Sequence, residues 1–291
     1  MIESFLKYLR FEKRYSQHTL LAYENDLAQF SDFGQKNLDL IAIDQATHLE
    51  VRAWVVFMVD QGISNRSVNR KIASIRAYFK FLLRREAISV DPTRKIKSLK
   101  LSRKLPSFVK EDDMLKVLDQ VEFTDDFYGK RDQLVMELLY GTGIRLSELI
   151  ELTYDSIDFI QGSIKVLGKR NKERIIPMAG RTTELIKTYQ KKQTETYNTA
   201  TYLVVTDSGE KAYPMLIYRI VKKYLNLFVT IDKKSPHVLR HTYATHLLNK
   251  GADLNAVKDL LGHASLAATQ VYTHNSIEKL KNVFDQAHPK A

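Results

Sequence analysis

A chain of 291 residues has room for about two domains at the usual ~100–200 residues each, and 44% hydrophobic with 27% charged residues excludes a disordered or collagen-like polymer. The absence of cysteine excludes disulfides, thiolate nucleophiles and Cys-ligated metal centres, and a formal net charge of +11 suits a polyanionic partner. The first residues, Met1-Ile2-Glu3-Ser4-Phe5, carry no apolar signal core, and no run approaches the ~20 apolar residues of a membrane span, so a soluble, cytoplasmic protein is expected.

Residues 1–86 read as a helical bundle. Ile2, Phe5, Leu6 and Leu9 recur at helical spacing, and Ser16 to Thr19 offer a cap for a second helix that runs through Leu27 and Phe30 and fades near Gly34. A third helix is expected from about Ala46 through Val51, Trp54, Val55 and Met58 to a stop at Gly62. Ser64 or Asn65 caps a fourth, with Val68, Ile72, Ile75, Phe79 and Leu82–Leu83 facing inward. Residues 87–105 break this pattern: Asp91-Pro92 ends a helix, and Arg94, Lys95, Lys97, Lys100, Arg103 and Lys104 follow without an acid. They read as a basic linker, either solvated or laid along a phosphate backbone.

The remainder, 106–291, reads as mostly helical with one small β element. Helices are expected at Lys110–Val121, opened by acids as the macrodipole prefers, and at Lys130–Leu139. Ile157–Phe159, Ser163–Leu167 and Arg174–Met178 alternate as half-buried strands do, with Gly168 to Lys172 as the turn joining the last two. Helices return at Thr182–Gln193, Met215–Val229, His237–Lys250, Leu254–Leu261, Leu266–Tyr272 and Ile277–Ala287.

Several chemistries fail on the residues. Gly141-Thr142-Gly143 begins like a dinucleotide fingerprint but lacks the third glycine and a preceding strand, and there is no Walker loop and no Gly-x-Ser-x-Gly elbow. His237 and His241 have a zinc-compatible spacing but no third ligand, so no metal and no cofactor is expected. What remains is a set of phosphate-friendly groups at element ends. Arg145 opens a helix after two glycines, where backbone N–H groups and a guanidinium can face one anion, or can simply pair with Glu148. Lys169 lies in the turn with Arg170, Lys172 and Arg174; His237 and Arg240 share one side of a helix's first turn; His263 follows Leu-Gly; and Tyr272 ends a short apolar helix.

In order and spacing, these motifs make the chain similar to the tyrosine recombinases, the phage-integrase family. They are Arg145 in Gly-Thr-Gly-Ile-Arg-Leu-Ser-Glu-Leu, Lys169 in the turn, His237-x-x-Arg240-His241, Leu-Gly-His263, and Tyr272 nine residues later. The compact length and the ending resemble its Xer group most, although Arg170 stands where Xer proteins usually have glycine. The resemblance spans essentially the whole chain. It implies a mainly α fold, with a helical core-binding domain at 1–86, a linker at 87–105, and a mixed α/β catalytic domain with a small antiparallel sheet at 106–291.

The resemblance also implies roles. A tyrosine hydroxyl, with a pKa near ~10, attacks usefully only where charge on the phosphate is stabilised and its proton has a route out. Tyr272 would be the nucleophile forming a 3′-phosphotyrosyl bond; Arg145 and Arg240 would hold the non-bridging oxygens; Lys169 would protonate the departing 5′-oxygen; His237 would accept a proton and His263 donate a hydrogen bond. Glu148 would orient the arginines. Double-stranded DNA is the implied partner, bound as a homo- or hetero-tetramer on two sites, with a second recombinase and a DNA translocase as further open partners. The C-terminal helix Ile277–Ala287 would dock on the neighbouring subunit or on its own domain. Arg66, Arg70, Lys71 and Arg76, with Lys95, Lys97, Lys100, Arg103, Arg170 and Lys172, are the expected DNA contacts. Three other readings share part of the pattern: a mobile-element integrase, a type IB topoisomerase, and a non-catalytic DNA-binding protein.

Overall fold

The computed structural model describes residues 1–101, 107–168, 173–197, 201–262 and 286–287. The chain forms two units, Met1–Lys104 and Leu105–Ala291.

The first unit is helical. Helix α1 (Ile2–Lys7) widens into a π-helical turn over Tyr8–Glu12, placing Phe5 and Leu9 in the core. Helix α2 (Gln17–Leu38) is capped by Ser16, whose hydroxyl accepts from the Thr19 N–H. It continues a turn past the expected end at Gly34, because that glycine leaves the space into which Leu40 folds back: a Cβ there would lie 2.9 Å from Leu40 Cδ2. Helix α3 (His48–Asp60) starts with a reciprocal capping box between Thr47 and Glu50. Helix α4 (Asn65–Arg84), capped by Ser64, buries Val68, Ile72, Ile75, Phe79 and Leu82, while Leu83 points out. Aromatic pairs fill the centre, among them Phe5 edge-on to Tyr78 at 5.3 Å and Phe30 tilted on Trp54 at 5.0 Å.

The stretch expected as a linker is, over its described part, an extension of this unit. Asn69 on α4 reads the backbone of Leu99 as a strand would, donating to its carbonyl (2.9 Å) and accepting from its N–H (2.8 Å). Asn65 donates to the Lys100 carbonyl and Arg76 to that of Ile96, each at 2.8 Å. Thr93 and Ile96 are buried beneath. The basic side chains of Arg94, Lys95, Lys97 and Lys100 stay exposed on this strap.

In the second unit, α5 (Glu111–Asp119) precedes α6 (Phe127–Gly141), which is buried almost all round. A helix buried on nearly every side must lie at the centre of its layer, and α8 (Gly180–Tyr197), α9 (Pro214–Phe228) and α10 (Pro236–Asn249) pack about it. Between α7 (Leu146–Glu151) and α8 lies an antiparallel sheet in chain order, β1 (Ile157–Asp158), β2 (Ser163–Leu167) and β3 (Glu173–Pro177). Its register pairs Ile164 with Ile176 and Val166 with Arg174, so the Arg174 side chain is on the inner face. Helix α11 (Leu254–Leu261) ends at Gly262 in a left-handed cap. The expected helix Leu266–Tyr272 and most of Ile277–Ala287 lie outside the described residues. Ala287 itself is buried in the cluster of Tyr243, Leu247, Val257, Leu260 and Leu261 of the same chain.

Candidate active site

The central helix α6 delivers the buried Gly141-Thr142-Gly143 to a sharp turn into α7. Gly143 makes the turn at φ +60°, and a Cβ there would sit 2.5 Å from the buried Tyr243 ring. The turn sets Arg145 at the start of α7. Its N–H donates to Glu148 Oε2 (2.8 Å) and its Nη1 to Oε1 (2.7 Å).

Glu148 also receives a second fork. Arg174 Nη1 and Nη2 donate to its two oxygens at 2.6 and 2.8 Å, and both side chains are buried. Burial alone would raise the Glu148 pKa, but the charged hydrogen bonds of Arg174 and then Arg145 outweigh it and lower the value to about 2. The carboxylate is therefore a fixed anion.

Three arginines meet three successive carbonyls at the end of α11. Arg174 Nε donates to Leu260 O (3.0 Å), Arg240 to Leu261 O, and Arg145 Nη2 to Gly262 O (2.7 Å). These last carbonyls have no partner within the helix and carry its negative dipole end, so they are natural acceptors for guanidinium groups. Arg240, one turn into α10, also donates to Gly143 O. Its pKa is lowered to about 10, first by burial and then by repulsion from Arg145 and Arg174. An arginine so placed is still charged at neutral pH and would gain from an approaching anion. His237, in the first turn of the same helix behind the Ser235 cap, is exposed.

Arg145, Arg240 and Glu148 are thus brought together. Lys169, Arg170, Lys172, Arg103, His263 and Tyr272 lie outside the described residues, although Gly262 immediately precedes His263. In the sequence Arg174 reads only as one more charge near the turn. Its alternation with Ile176 was the available signal, since an arginine on the inner face of a strand requires a buried acid.

The first unit corrects one expected DNA contact. Lys71 is buried, its ammonium bonded to Asp26 Oδ1 (2.9 Å) and Gln29, because it lies between the inward positions Val68 and Ile75. Arg70 is half-exposed but forks onto the same buried Asp26, and Arg76 is spent on the strap. Arg66, Lys95, Lys97 and Lys100 remain exposed.

Residues 107–279 match the Phage integrase family and residues 2–86 the Phage integrase, N-terminal SAM-like domain. The chain belongs to this family and is a tyrosine recombinase, an enzyme that cleaves and rejoins DNA. Its relatives include Tyrosine recombinase XerC of Chlorobaculum parvum, 35% identical over 100% of this chain and 94% of that one. Tyrosine recombinase XerD of Staphylococcus haemolyticus is 36% identical over 100% of this chain and 99% of that one. The fold is also that of the XerH site-specific recombinase bound to palindromic difH substrate, with TM-score 0.73 and 22% identity over 97% of this chain and 82% of that one.

Proposed function

We propose that this recombinase is Xer-like, resolving chromosome or plasmid dimers in the cytoplasm, with two protomers on each of two DNA sites. The observation that supports its chemistry most is the convergence of Arg145 and Arg240 on adjacent carbonyls at the end of α11, one residue before His263. Two fixed cations there can hold the non-bridging oxygens of a scissile phosphate. Tyr272 Oη attacks phosphorus, its proton passing to His237. The P–O5′ bond breaks, and Lys169 gives the departing oxygen its proton while His263 donates to the phosphate. The 3′-phosphotyrosyl bond retains the phosphodiester's energy, so a 5′-hydroxyl of another strand can reverse the step without ATP.

Affinity comes from phosphate contacts by Arg66, Lys95, Lys97 and Lys100 in the first unit, and by Arg103, Arg170 and Lys172. A nicked suicide substrate tests the chemistry. Wild type should form a covalent complex, and Tyr272→Phe should bind the same DNA but form none. Lys169→Ala should be slowed by ~10²–10⁴-fold, as for a lost general acid, and recover most of its rate on a 5′-bridging phosphorothiolate, whose sulfur leaves without a proton. Covalent product from Tyr272→Phe would move the nucleophile elsewhere. Equal slowness of Lys169→Ala on both substrates would make the lysine a positioning group. Recombination by the purified chain alone on two sites would remove the need for a second recombinase and a translocase.

A further inference from the structure

We propose that Arg174 is a positioning residue for cleavage: it keeps Arg145 available to the phosphate by occupying the other half of Glu148, and it fixes the exit of α11. The proposal rests on the reading of Arg145 as a phosphate-binding group.

Glu148 offers four acceptor directions, and four donors fill them: the N–H and Nη1 of Arg145, and Nη1 and Nη2 of Arg174. Each arginine therefore owns only part of the carboxylate. Were Arg174 absent, two of those acceptor directions would be left without a donor in a buried site, which is costly. The nearest group able to fill them is the Arg145 guanidinium. Closing a full fork on Glu148 would draw Nη2 off Gly262 O and pair Arg145 one-to-one with an anion. The cluster would also lose one positive charge, going from three arginines against one carboxylate to two against one. Both changes take charge stabilisation away from the phosphate.

A second set of contacts joins Arg174 to the chain that leads to His263. Its Nε holds Leu260 O, and its Cδ lies where a Cβ on Gly262 would come within 2.9 Å. Gly262, at φ +61°, therefore turns directly against the Arg174 stem. One side chain on β3 thus sets both the neighbour of Arg145 and the point where α11 ends. Buried itself, it acts through Glu148 and the Leu260 carbonyl.

The test compares single-turnover formation of the covalent complex on two nicked substrates, one with an ordinary phosphodiester at the scissile position and one with a methylphosphonate. The methylphosphonate lacks one anionic oxygen and so needs less cationic stabilisation. The quantity read is the ratio of the two rates within one protein preparation, from which any unfolded fraction cancels. Arg174→Lys keeps the buried charge but loses the fork. It should bind DNA as wild type does, cleave the phosphodiester ~10–100-fold more slowly, the range for groups that orient a primary contact, and show a ratio lowered by the same factor. A ratio equal to that of wild type, whether or not the rates fall together, would overturn the proposal, because a merely structural role slows both substrates alike. If Arg174→Lys does not fold, the ratio is read on Arg174→Gln, whose amide can still donate to one Glu148 oxygen but supplies neither the fork nor the charge. The same lowering is expected there, and an unchanged ratio is again fatal. Arg145→Lys separates the two readings. If it leaves the ratio untouched, the phosphate-binding role of Arg145 is what fails; if wild type forms no covalent complex, the tyrosine assignment fails.

Discussion

Replacing Gly143 by alanine should damage the second unit more than the same change at Gly251, although both glycines have positive φ, +60° and +87°. The backbone cost of a left-handed alanine is common to both, about 1–2 kcal/mol. At Gly251 nothing lies within 4 Å of the added Cβ, so that cost is the whole effect. At Gly143 the Cβ would meet Tyr243 Cδ1 at 2.5 Å, Cε1 at 2.9 Å and Leu261 Cδ2 at 3.1 Å, all on fully or nearly fully buried side chains. Overpacking a rigid core adds about 1–3 kcal/mol, giving a total of about 2–5 kcal/mol. The two variants are compared by urea unfolding of the full chain, followed by far-UV circular dichroism. The single tryptophan, Trp54, belongs to the first unit, so its fluorescence provides an internal control that neither variant should move. Because the Gly143 carbonyl accepts from Arg240, Gly143→Ala should also lose more cleavage activity than Gly251→Ala. Equal losses of stability at the two positions would refute the argument, since they would mean that Tyr243 yields freely to the added methyl.

Lys71→Met should destabilise the first unit by roughly 1–3 kcal/mol, because Asp26 loses one of its buried donors, yet leave the salt dependence of DNA binding unchanged. Lys97→Ala should do the reverse, lowering the salt slope by about 1 at constant stability, and a loss of slope in Lys71→Met would return that lysine to the DNA surface. Glu148 is held at a pKa of about 2 in the folded chain against an ordinary 4.5, so its contribution to stability is complete above the ordinary value and is lost as pH falls towards the lower one. Wild type should therefore lose more stability between pH ~5 and ~2 than Glu148→Gln, as followed by thermal unfolding; parallel curves would show that the carboxylate is not the titrating group.

Much of the architecture could be read from local rules. The caps at Ser16 and Ser64 and the alternation of β2 follow from side chains acting on their own neighbours in sequence. What escaped was set by contacts distant in sequence. Nothing in a run of lysines announces that Asn69 grips Leu99 thirty residues away, so a strap docked on the first unit reads as a basic linker. Helical spacing sets Lys71 between Val68 and Ile75, but only the buried Asp26 on another helix makes that position tolerable for an ammonium group. At the site, the arginine positions came from the motif spacing. Arg174 did not, because Glu148 has a ready local partner in Arg145 three residues away, and a carboxylate's capacity for two arginines is visible only when both arrive.

The acceptors that seat the three arginines on α11 are main-chain oxygens, present whatever side chains that helix carries. The seat is therefore indifferent to mutation along the outer face of α11. Leu254, Asn255 and Lys258 are exposed and can be exchanged for other helix formers without altering the geometry of the cluster. Sequence diversification on that face, by drift or by a designer seeking a different surface, leaves the guanidinium positions where they are. Changes at Gly262, whose backbone shape the seat requires, do not have that freedom.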